Sequence, residues 1–490
     1  MEKYVFEEVD SVIQYQHTQE DFIDFFFRQN IIPHKFSQIG PTIAQGDLNG
    51  DGVADLLIGA TNTLPTTAMI REGDSFVGLD LEGLTINKPN SESDLAILDL
   101  DLDGDNDVVA LSGGYENNDE RAYEHFTYIN DGGSFQAQKL PIKGFSASVV
   151  RPFDYDHDGD PDLFIGARIK KDAYPLAADS WILINESGQF TEENALAFNL
   201  GMVTDATWSD YDGDGWEDLV IAREWNSVAI LKNKEGKGLS SELLPEIEAK
   251  HGLWFSVASA DFDQDGDIDF ILGNLGNNHR FHASDPYPMR IHAVDVDMNG
   301  TLDPITTAYW ENEEGEMTEY PINYLDELVA QISVITKKYS DYKSFSYATI
   351  NDILDPSVME RELYEFRVNT TSSYILWNEG GSFRWQELPP MAQVSPIRQI
   401  VVRDLNGDNL PDAILAGNDY TFDVSTGYFD ANKGLVLMSE NNVALASLQS
   451  SEETGLVLQG MAESLFFLDN SSILVAGFNR QPIKTFLIKE

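Results

Sequence analysis

The sequence predicts an all-β fold, a β-propeller of seven or eight blades. Three observations lead there. A nine-residue acidic loop occurs seven times along the 490 residues. The first five copies begin at Asp47, Asp99, Asp154, Asp210 and Asp261, so one unit is 51–56 residues long. Short apolar runs flank each loop as strands, and a second strand pair follows in most units. Four short strands in a unit of this length make one propeller blade.

The loops come first because their chemistry is the most specific. They read Asp47-Leu-Asn49-Gly-Asp51-Gly-Val-Ala-Asp55, Asp99-Leu-Asp101-Leu-Asp103-Gly-Asp-Asn-Asp107, Asp154-Tyr-Asp156-His-Asp158-Gly-Asp-Pro-Asp162 and Asp210-Tyr-Asp212-Gly-Asp214-Gly-Trp-Glu-Asp218. Asp261-Phe-Asp263-Gln-Asp265-Gly-Asp-Ile-Asp269, Asp295-Val-Asp297-Met-Asn299-Gly-Thr-Leu-Asp303 and Asp404-Leu-Asn406-Gly-Asp408-Asn409-Leu-Pro-Asp412 complete the set. Oxygen side chains stand at positions 1, 3, 5 and 9, with Gly or Asn at position 6 for a sharp turn. Calcium takes six to eight oxygens, and positions 1, 3 and 5 of a tight loop converge on one point. Position 7 offers a backbone carbonyl and the Asp at 9 closes the cage. About seven calcium ions are therefore expected. Asn at position 3 of the first and seventh loops and at position 5 of the sixth lowers the ligand charge, so these sites should be weaker.

Around each loop the strands follow in order. Ser256-Val-Ala-Ser-Ala260 precedes a loop and Asp269-Phe-Ile-Leu-Gly273 follows it. Trp181-Ile-Leu-Ile-Asn185 and Gln189-Phe-Thr-Glu192 form an outer pair, with Glu186-Ser-Gly as the turn. The fifth and sixth loops start only 34 residues apart, so one unit is clipped. Counting first strands gives eight blades; seven result if the clipped unit merges with its neighbour. A last, degenerate unit has strands at 461–467, 473–477 and 485–488, and its turn at 468–472 lacks the ligand set. Tyr4-Val-Phe-Glu-Glu8 resembles the fourth strands elsewhere, and is expected to complete this unit and remove a free edge.

Two segments break the pattern within a propeller assigned to 1–490. Residues 10–40 read as an irregular lead-in with a short helix at about Asp21 to Gln29, ending at Gly40-Pro41. His17 and His34 flank its aromatic run and are read as packing over the propeller mouth, with a ligand or acid–base role as the alternative. Residues 323–369 read as a helical insertion within the sixth blade, between its second and third strands. There Leu325, Leu328, Val329, Ile332 and Ile335 recur at helical spacing. Asp341 and Asp355-Pro356 supply helix starts, and Lys337, Lys338 and Lys343 make the segment locally basic.

The net charge is −52. Even with seven divalent cations bound the chain stays acidic, so nucleic acid and anionic membrane surfaces are poor partners. The chain has no Cys, so redox compartment is not readable. No run reaches the length of a membrane-spanning helix. Met1-Glu-Lys-Tyr shows no secretory leader. The loops suit a compartment with near-millimolar calcium, so the expectation is an exported chain whose leader or lipid anchor has been removed. No Gly-x-Ser-x-Gly elbow, phosphate-cradling Gly loop or zinc spacing occurs.

At these loops the sequence resembles the FG-GAP/VCBS repeat family, which includes the integrin α-chain propeller. The loop pattern followed by Leu163-Phe-Ile-Gly-Ala167, and likewise Leu56-Leu-Ile-Gly-Ala60, looks like the family's core motif. A narrower likeness, through Gly201-Met-Val-Thr-Asp-Ala-Thr-Trp208, Gly273-Asn-Leu-Gly-Asn277 and the helical insertion, is to exported VCBS proteins of Bacteroidota. Those relatives often carry an UnbV-type domain, which this sequence does not show. That resemblance implies association with a SusC/SusD-like outer-membrane complex at the cell surface or in the periplasm.

In a propeller the loops lie on one face and the far ends of the second strands on the other. Reading those ends gives a candidate ligand or partner face of Arg168, Arg223, Trp225, Trp254, Asn277, Arg280 and Arg480. Tyr115 and Glu116, Asn274, Trp310, Asp419 with Tyr420, and Asn479 fall nearby. Arg captures carboxylates and aromatic rings stack on sugars; the alternative is that each Arg balances a neighbouring acid. The predicted function is a non-enzymatic binding protein that holds a protein partner or glycan. A glycan-binding lectin, or an enzyme acting on extracellular polysaccharide, are the alternatives. The second would require two carboxylates facing a cleft, whereas these acids point into their own loops.

Overall fold

The computed structural model describes residues 5–489 apart from 10–11, 21–23, 25–28, 85–90, 116, 362, 424 and 442. Among these residues the strands form eight antiparallel sheets, seven of four strands and one of five. The third sheet shows the common plan, with Ser146–Phe153, Asp162–Ile169, Ser180–Glu186 and Gln189–Phe198 paired in that order. Its second strand, Asp-Leu-Phe-Ile-Gly-Ala-Arg-Ile, is almost wholly buried. A short continuous apolar run suits a strand covered on both faces. The outermost strand is half exposed and mixes polar with apolar residues. Ser187 and Gly188 both take positive φ in the hairpin between the last two strands, a turn that matches strand twist.

The first strands pack side by side. Ile43–Gly46 lies against Glu92–Leu98, then Ser146–Phe153, Met202–Ser209, Ser256–Ala260, Ile397–Arg403 and Ala462–Phe467 follow in turn. The seventh meets the first again: Ser464 Oγ donates to Pro41 O at 2.9 Å, and Ile43 N donates to Ser464 Oγ at 3.1 Å. In five of these strands the register slips by one residue near the start, at Ser93, Ser148, Thr204, Arg398 and Glu463.

The eighth sheet stands outside this series, which revises the clipped unit. Met289–Val294, Asp303–Glu311, Met317–Pro321 and Tyr364–Val368 pair only with one another. They are inserted between Asp269–Gly273 and Tyr374–Asn378, which are adjacent strands of the fifth sheet. The insertion therefore belongs to the fifth unit and contains strands as well as helices. Its helical residues run from Leu325–Gln331 to Pro356–Met359, within the expected 323–369, but Tyr364–Val368 is strand. Asp341 and Asp355 cap helices as expected, accepting from Ser344 N and from Ser357 N and Val358 N. Leu328, Ile332 and Ile335 pack on Val294, Val296 and Ile305, so the helices cover the loop end of the inserted sheet.

Phe6–Glu8 pairs with Lys484–Ile488, so the N-terminal strand is the outer strand of the seventh sheet; Tyr4 lies outside the described residues. So does most of the expected helix at 21–29. The remainder of the lead-in is a strap across the face where second strands end. Asp24 is buried, and its carboxylate accepts from Phe36 N at 2.6 Å and Ser37 N at 3.0 Å. Tyr115 OH donates to Gln29 Oε1 at 2.6 Å, Lys35 N to Thr421 O at 2.9 Å and Asn479 Nδ2 to Gln38 O at 2.8 Å. These three contacts tie the strap to the second, sixth and seventh sheets.

Candidate functional site

All seven acidic loops fold on one plan. The position-1 carboxylate accepts from the position-6 N–H at 2.7–3.2 Å. The position-5 side chain accepts from the position-7 N–H at 2.8–3.0 Å. Position 6 has positive φ throughout, including Asn409 at 67°. Position 4 does too, which the sequence reading missed. Gly50, Gly213 and Gly407 stand there in three loops, but Leu102, His157, Gln264 and Met298 take φ of 59–60° in the others. A side chain in this region costs about 1–2 kcal/mol, so these four loops are held in a strained turn.

The acid at position 9 does more than close a cage. Asp55, Asp107, Asp162, Asp218, Asp269, Asp303 and Asp412 are at most 1% exposed. Asp162 accepts from Tyr155 N at 2.9 Å in its own loop and from Asn185 N at 2.7 Å in the third strand. Asp55, Asp107, Asp269 and Asp412 make the same two kinds of bond, to Leu48 and Arg71, Leu100 and Asn130, Phe262 and Asn378, and Leu405 and Ser439. In the inserted sheet the second donor is Gln331 Nε2 of the helical cap, 2.7 Å from Asp303. In these five loops the position-9 carboxylate thus fastens the loop to the sheet; Asp303 ties its loop to the helical cap, and Asp218 accepts from Asn233 N of the sheet alone.

These carboxylates crowd together. In the second, third, fourth and sixth loops one oxygen from each of positions 1, 3 and 9 lies within 4.8 Å of the others: Asp99, Asp101 and Asp107; Asp154, Asp156 and Asp162; Asp210, Asp212 and Asp218; Asp295, Asp297 and Asp303. In the fifth loop the group is Asp261, Asp263 and Asp265. Burial, with the facing carboxylates adding, pushes Asp162, Asp218, Asp269 and Asp303 up to about 7 and Asp107 and Asp412 up to about 6. Asp156 Oδ1, Asp218 Oδ2, Asp261 Oδ1 and Asp297 Oδ1 are buried with no hydrogen-bond partner. Oxygen donors only, clustered and short of positive charge, fit a hard divalent cation such as calcium. Asp47, Asn49, Asp51 and Asp55, and Asp404, Asn406, Asp408 and Asp412, have the same turn but fewer carboxylates. Their Asn49 and Asn406 amides donate to Asp51 and Asp408 at 3.2 Å. The fourth loop differs in another way: the Lys232 ammonium bonds Asp212 and lies 2.8 Å from Asp214, so a side chain already brings positive charge there.

The residues expected on the opposite face are mostly inside the molecule. Trp225 is 2% exposed and Trp254 0%. Trp254 stacks on Trp385 at 5.6 Å, and its Nε1 donates to Asn226 O. Arg168 Nη2 lies 2.5 Å from Glu224 Oε1, with His34 Nε2 3.1 Å from the same oxygen. Burial alone would raise the Glu224 carboxyl; Arg168 and His34 outweigh it and hold it far below the carboxylate range. Arg223 donates to Ser227 O and Leu200 O. Arg168 thus fits the charge-balancing reading, and both Trp residues are core, Trp225 with Phe36, Phe422 and Phe429 of the strap and a neighbouring loop and Trp254 with Tyr374 and Trp385, whereas Arg223 bonds neutral oxygens rather than an acid. Asn277, Arg280 and Arg480 stay at the surface. Asn277 bonds Ser372 and Thr371, and Arg280 lies 4.8 Å from the Phe281 ring. Arg480 lines a pocket of about 490 Å³ with Lys35, Tyr420, Tyr428, Asp430 and Asn479. Tyr420 and Tyr428 meet edge-on there at 5.3 Å, and Tyr428 is 71% exposed.

Repeated antiparallel sheets joined through acidic turns define a repeat protein of the propeller kind, and sequence comparison points to the family. The FG-GAP-like repeat model matches residues 99–165 and 210–272, and the FG-GAP repeat model matches 39–64. The matched segments contain the first five loops and support the FG-GAP repeat family for this chain. Among solved structures, the chain is similar to BBS1N from its complex with ARL6DN, soaked with mercury, at 10% identity over 98% of both chains, TM-score 0.43. It is also similar to the V. cholerae biofilm matrix protein Bap1, at 9% identity over 100% of this chain and 92% of that one, TM-score 0.41. Among the described residues no helix is long and apolar enough to cross a membrane.

Proposed function

We propose that this chain is a calcium-stabilised, non-enzymatic binding protein that works outside the cytoplasm. Its seven laterally packed sheets form a closed seven-bladed propeller, with the inserted sheet as an outgrowth of the fifth blade. This replaces the count of eight that follows from treating every first strand alike. Calcium at the seven loops offsets carboxylates that are otherwise packed too closely to ionise together.

The observation that carries the binding reading is the pocket of Lys35, Tyr420, Tyr428, Asn479 and Arg480. It lies beside the strap, whose Lys35, Ser37 and Gln38 line it. Two aromatic rings, two cations and the Asp430 carboxylate suit a glycan or a segment of a protein partner. An accessory role in an outer-membrane complex of the SusC/SusD-like kind follows from the likeness to exported Bacteroidota proteins and deepens this reading. The test is capture of partners from the native envelope in millimolar calcium, in parallel with a glycan array. Tyr428→Ala and Arg480→Ala should weaken capture at least tenfold while leaving the melting temperature unchanged. Equal capture by both variants would overturn the assignment of this pocket.

A further inference from the structure

The axis of the ring of sheets holds a second, internal site. A cavity of about 390 Å³ lies between the first strands. All five residues at which those strands slip register line it: Ser93, Ser148, Thr204, Arg398 and Glu463. A bulge turns one extra side chain out of the ladder and aims it. Here the same device, used in five of the seven first strands, brings three hydroxyl-bearing residues, a guanidinium and a carboxylate to one space.

Most charge in the cavity wall is already matched. Arg151 bridges Asp94 at 3.0 Å and Asp205 at 2.6 Å, and both acids also accept backbone N–H groups of the next sheet. Arg398 bridges Asp419 at 3.0 Å and Glu463 at 3.3 Å. What remains is specific. Glu463, whose side chain is 10% exposed, has Oε1 without a partner. Arg168 Nη1, Arg398 Nε and Ser93 Oγ are likewise buried without one. A leftover carboxylate oxygen calls for a cationic donor, and leftover guanidinium N–H groups call for an anionic acceptor. Buried polar atoms of this kind are costly unless matched.

We propose that the central cavity binds a small zwitterion of amino-acid to dipeptide size, its ammonium at Glu463 and its carboxylate at Arg168 and Arg398. The volume suits such a ligand; the Ser93 hydroxyl can accept or donate along its length, and those of Ser148 and Thr204, which donate to Gly166 O and Trp254 O, can accept. This site is separate from the surface pocket and does not depend on it.

The test uses the full chain in millimolar calcium. Titration calorimetry is run with free amino acids, with dipeptides and with neutral hexoses. Saturable binding of at least one amino acid or dipeptide is expected, weakened at least tenfold by Glu463→Gln. Ser93→Leu, which removes no hydrogen bond within the protein, should block the cavity and abolish binding; it decides the matter if Glu463→Gln fails to fold. No binding of any zwitterion at 10 mM, binding of hexoses alone, or binding that survives Ser93→Leu would overturn the proposal.

Discussion

Arg168 and Glu224, from the second strands of adjacent sheets, meet at 2.5 Å with 12% and 0% of their side chains exposed. The pair lies beneath the strap, where the Arg168 guanidinium stands 5.1 Å from the Phe36 ring. Removing Glu224 leaves Arg168 buried without an acid, and removing Arg168 leaves Glu224 with His34 alone, at a cost of about 3–5 kcal/mol. Arg168→Ala and Glu224→Ala should each lower stability by that amount in urea unfolding with calcium present. The double variant should lose less than the sum of the two.

Position 9 of a loop should be far more sensitive than position 5. Asp162→Ala removes two buried charge-assisted bonds, to Tyr155 N and Asn185 N, and is expected to cost about 3 kcal/mol even without calcium. Asp158→Ala removes an exposed side chain that accepts only from Asp160 N and should matter mainly when calcium is present. Unfolding of both variants with and without a chelator separates the two effects.

Chelation should lower the melting temperature of the whole chain. A site held at a hundredfold excess over its dissociation constant stabilises by about 2.7 kcal/mol, and the loops add their effects. Lys232→Met should strengthen the fourth site, because its ammonium competes for Asp212 and Asp214. A calcium titration read by calorimetry checks both statements.

Acid should loosen the strap. Burial, with Arg480 nearby, pushes the His17 imidazole down to about 4, and its Nδ1 accepts from Arg480 N at 2.9 Å. The unfolded chain takes up this proton near pH 6.5, whereas the folded chain resists until about 4. Stability is therefore lost as pH falls from 6.5 to 4, by about 3 kcal/mol from this group, and the loss levels off below. His279, pushed down to about 4 by burial, adds a similar term. Unfolding free energies across this range should fall less steeply in His17→Gln.

The loops were legible because their chemistry demands oxygen atoms at fixed positions, and Asp or Asn supplies them visibly. The left-handed residue at position 4 was not, since Leu102 and Met298 give no sign of φ near 60°. The inserted sheet reads as a blade in sequence because Met289–Val294 and Asp303–Glu311 flank a loop just as blade strands do. What distinguishes it is that Asp269–Gly273 pairs with Tyr374–Asn378, about a hundred residues on, and composition cannot record such pairing. The Arg and Trp residues of the second-strand ends read as an open face, whereas Arg168 and Trp225 are buried. Their burial depends on a strap from far away in the chain, so Arg168 and Trp225 look the same in sequence whether covered or free. The bulges left one faint trace, polar residues such as Ser93 and Glu463 in strands that are otherwise core.

The partnership of Phe6–Glu8 with Lys484–Ile488 has a kinetic side. Nearly the entire polypeptide separates these two segments, so their meeting is the longest-range contact the molecule must find. Until the last strand is free to move, the seventh sheet lacks its hydrogen-bonded margin and the first residues wait without a template. The native state therefore becomes reachable only once Lys484–Ile488 is free to pair, and holding that segment back should arrest maturation at a late, nearly finished stage.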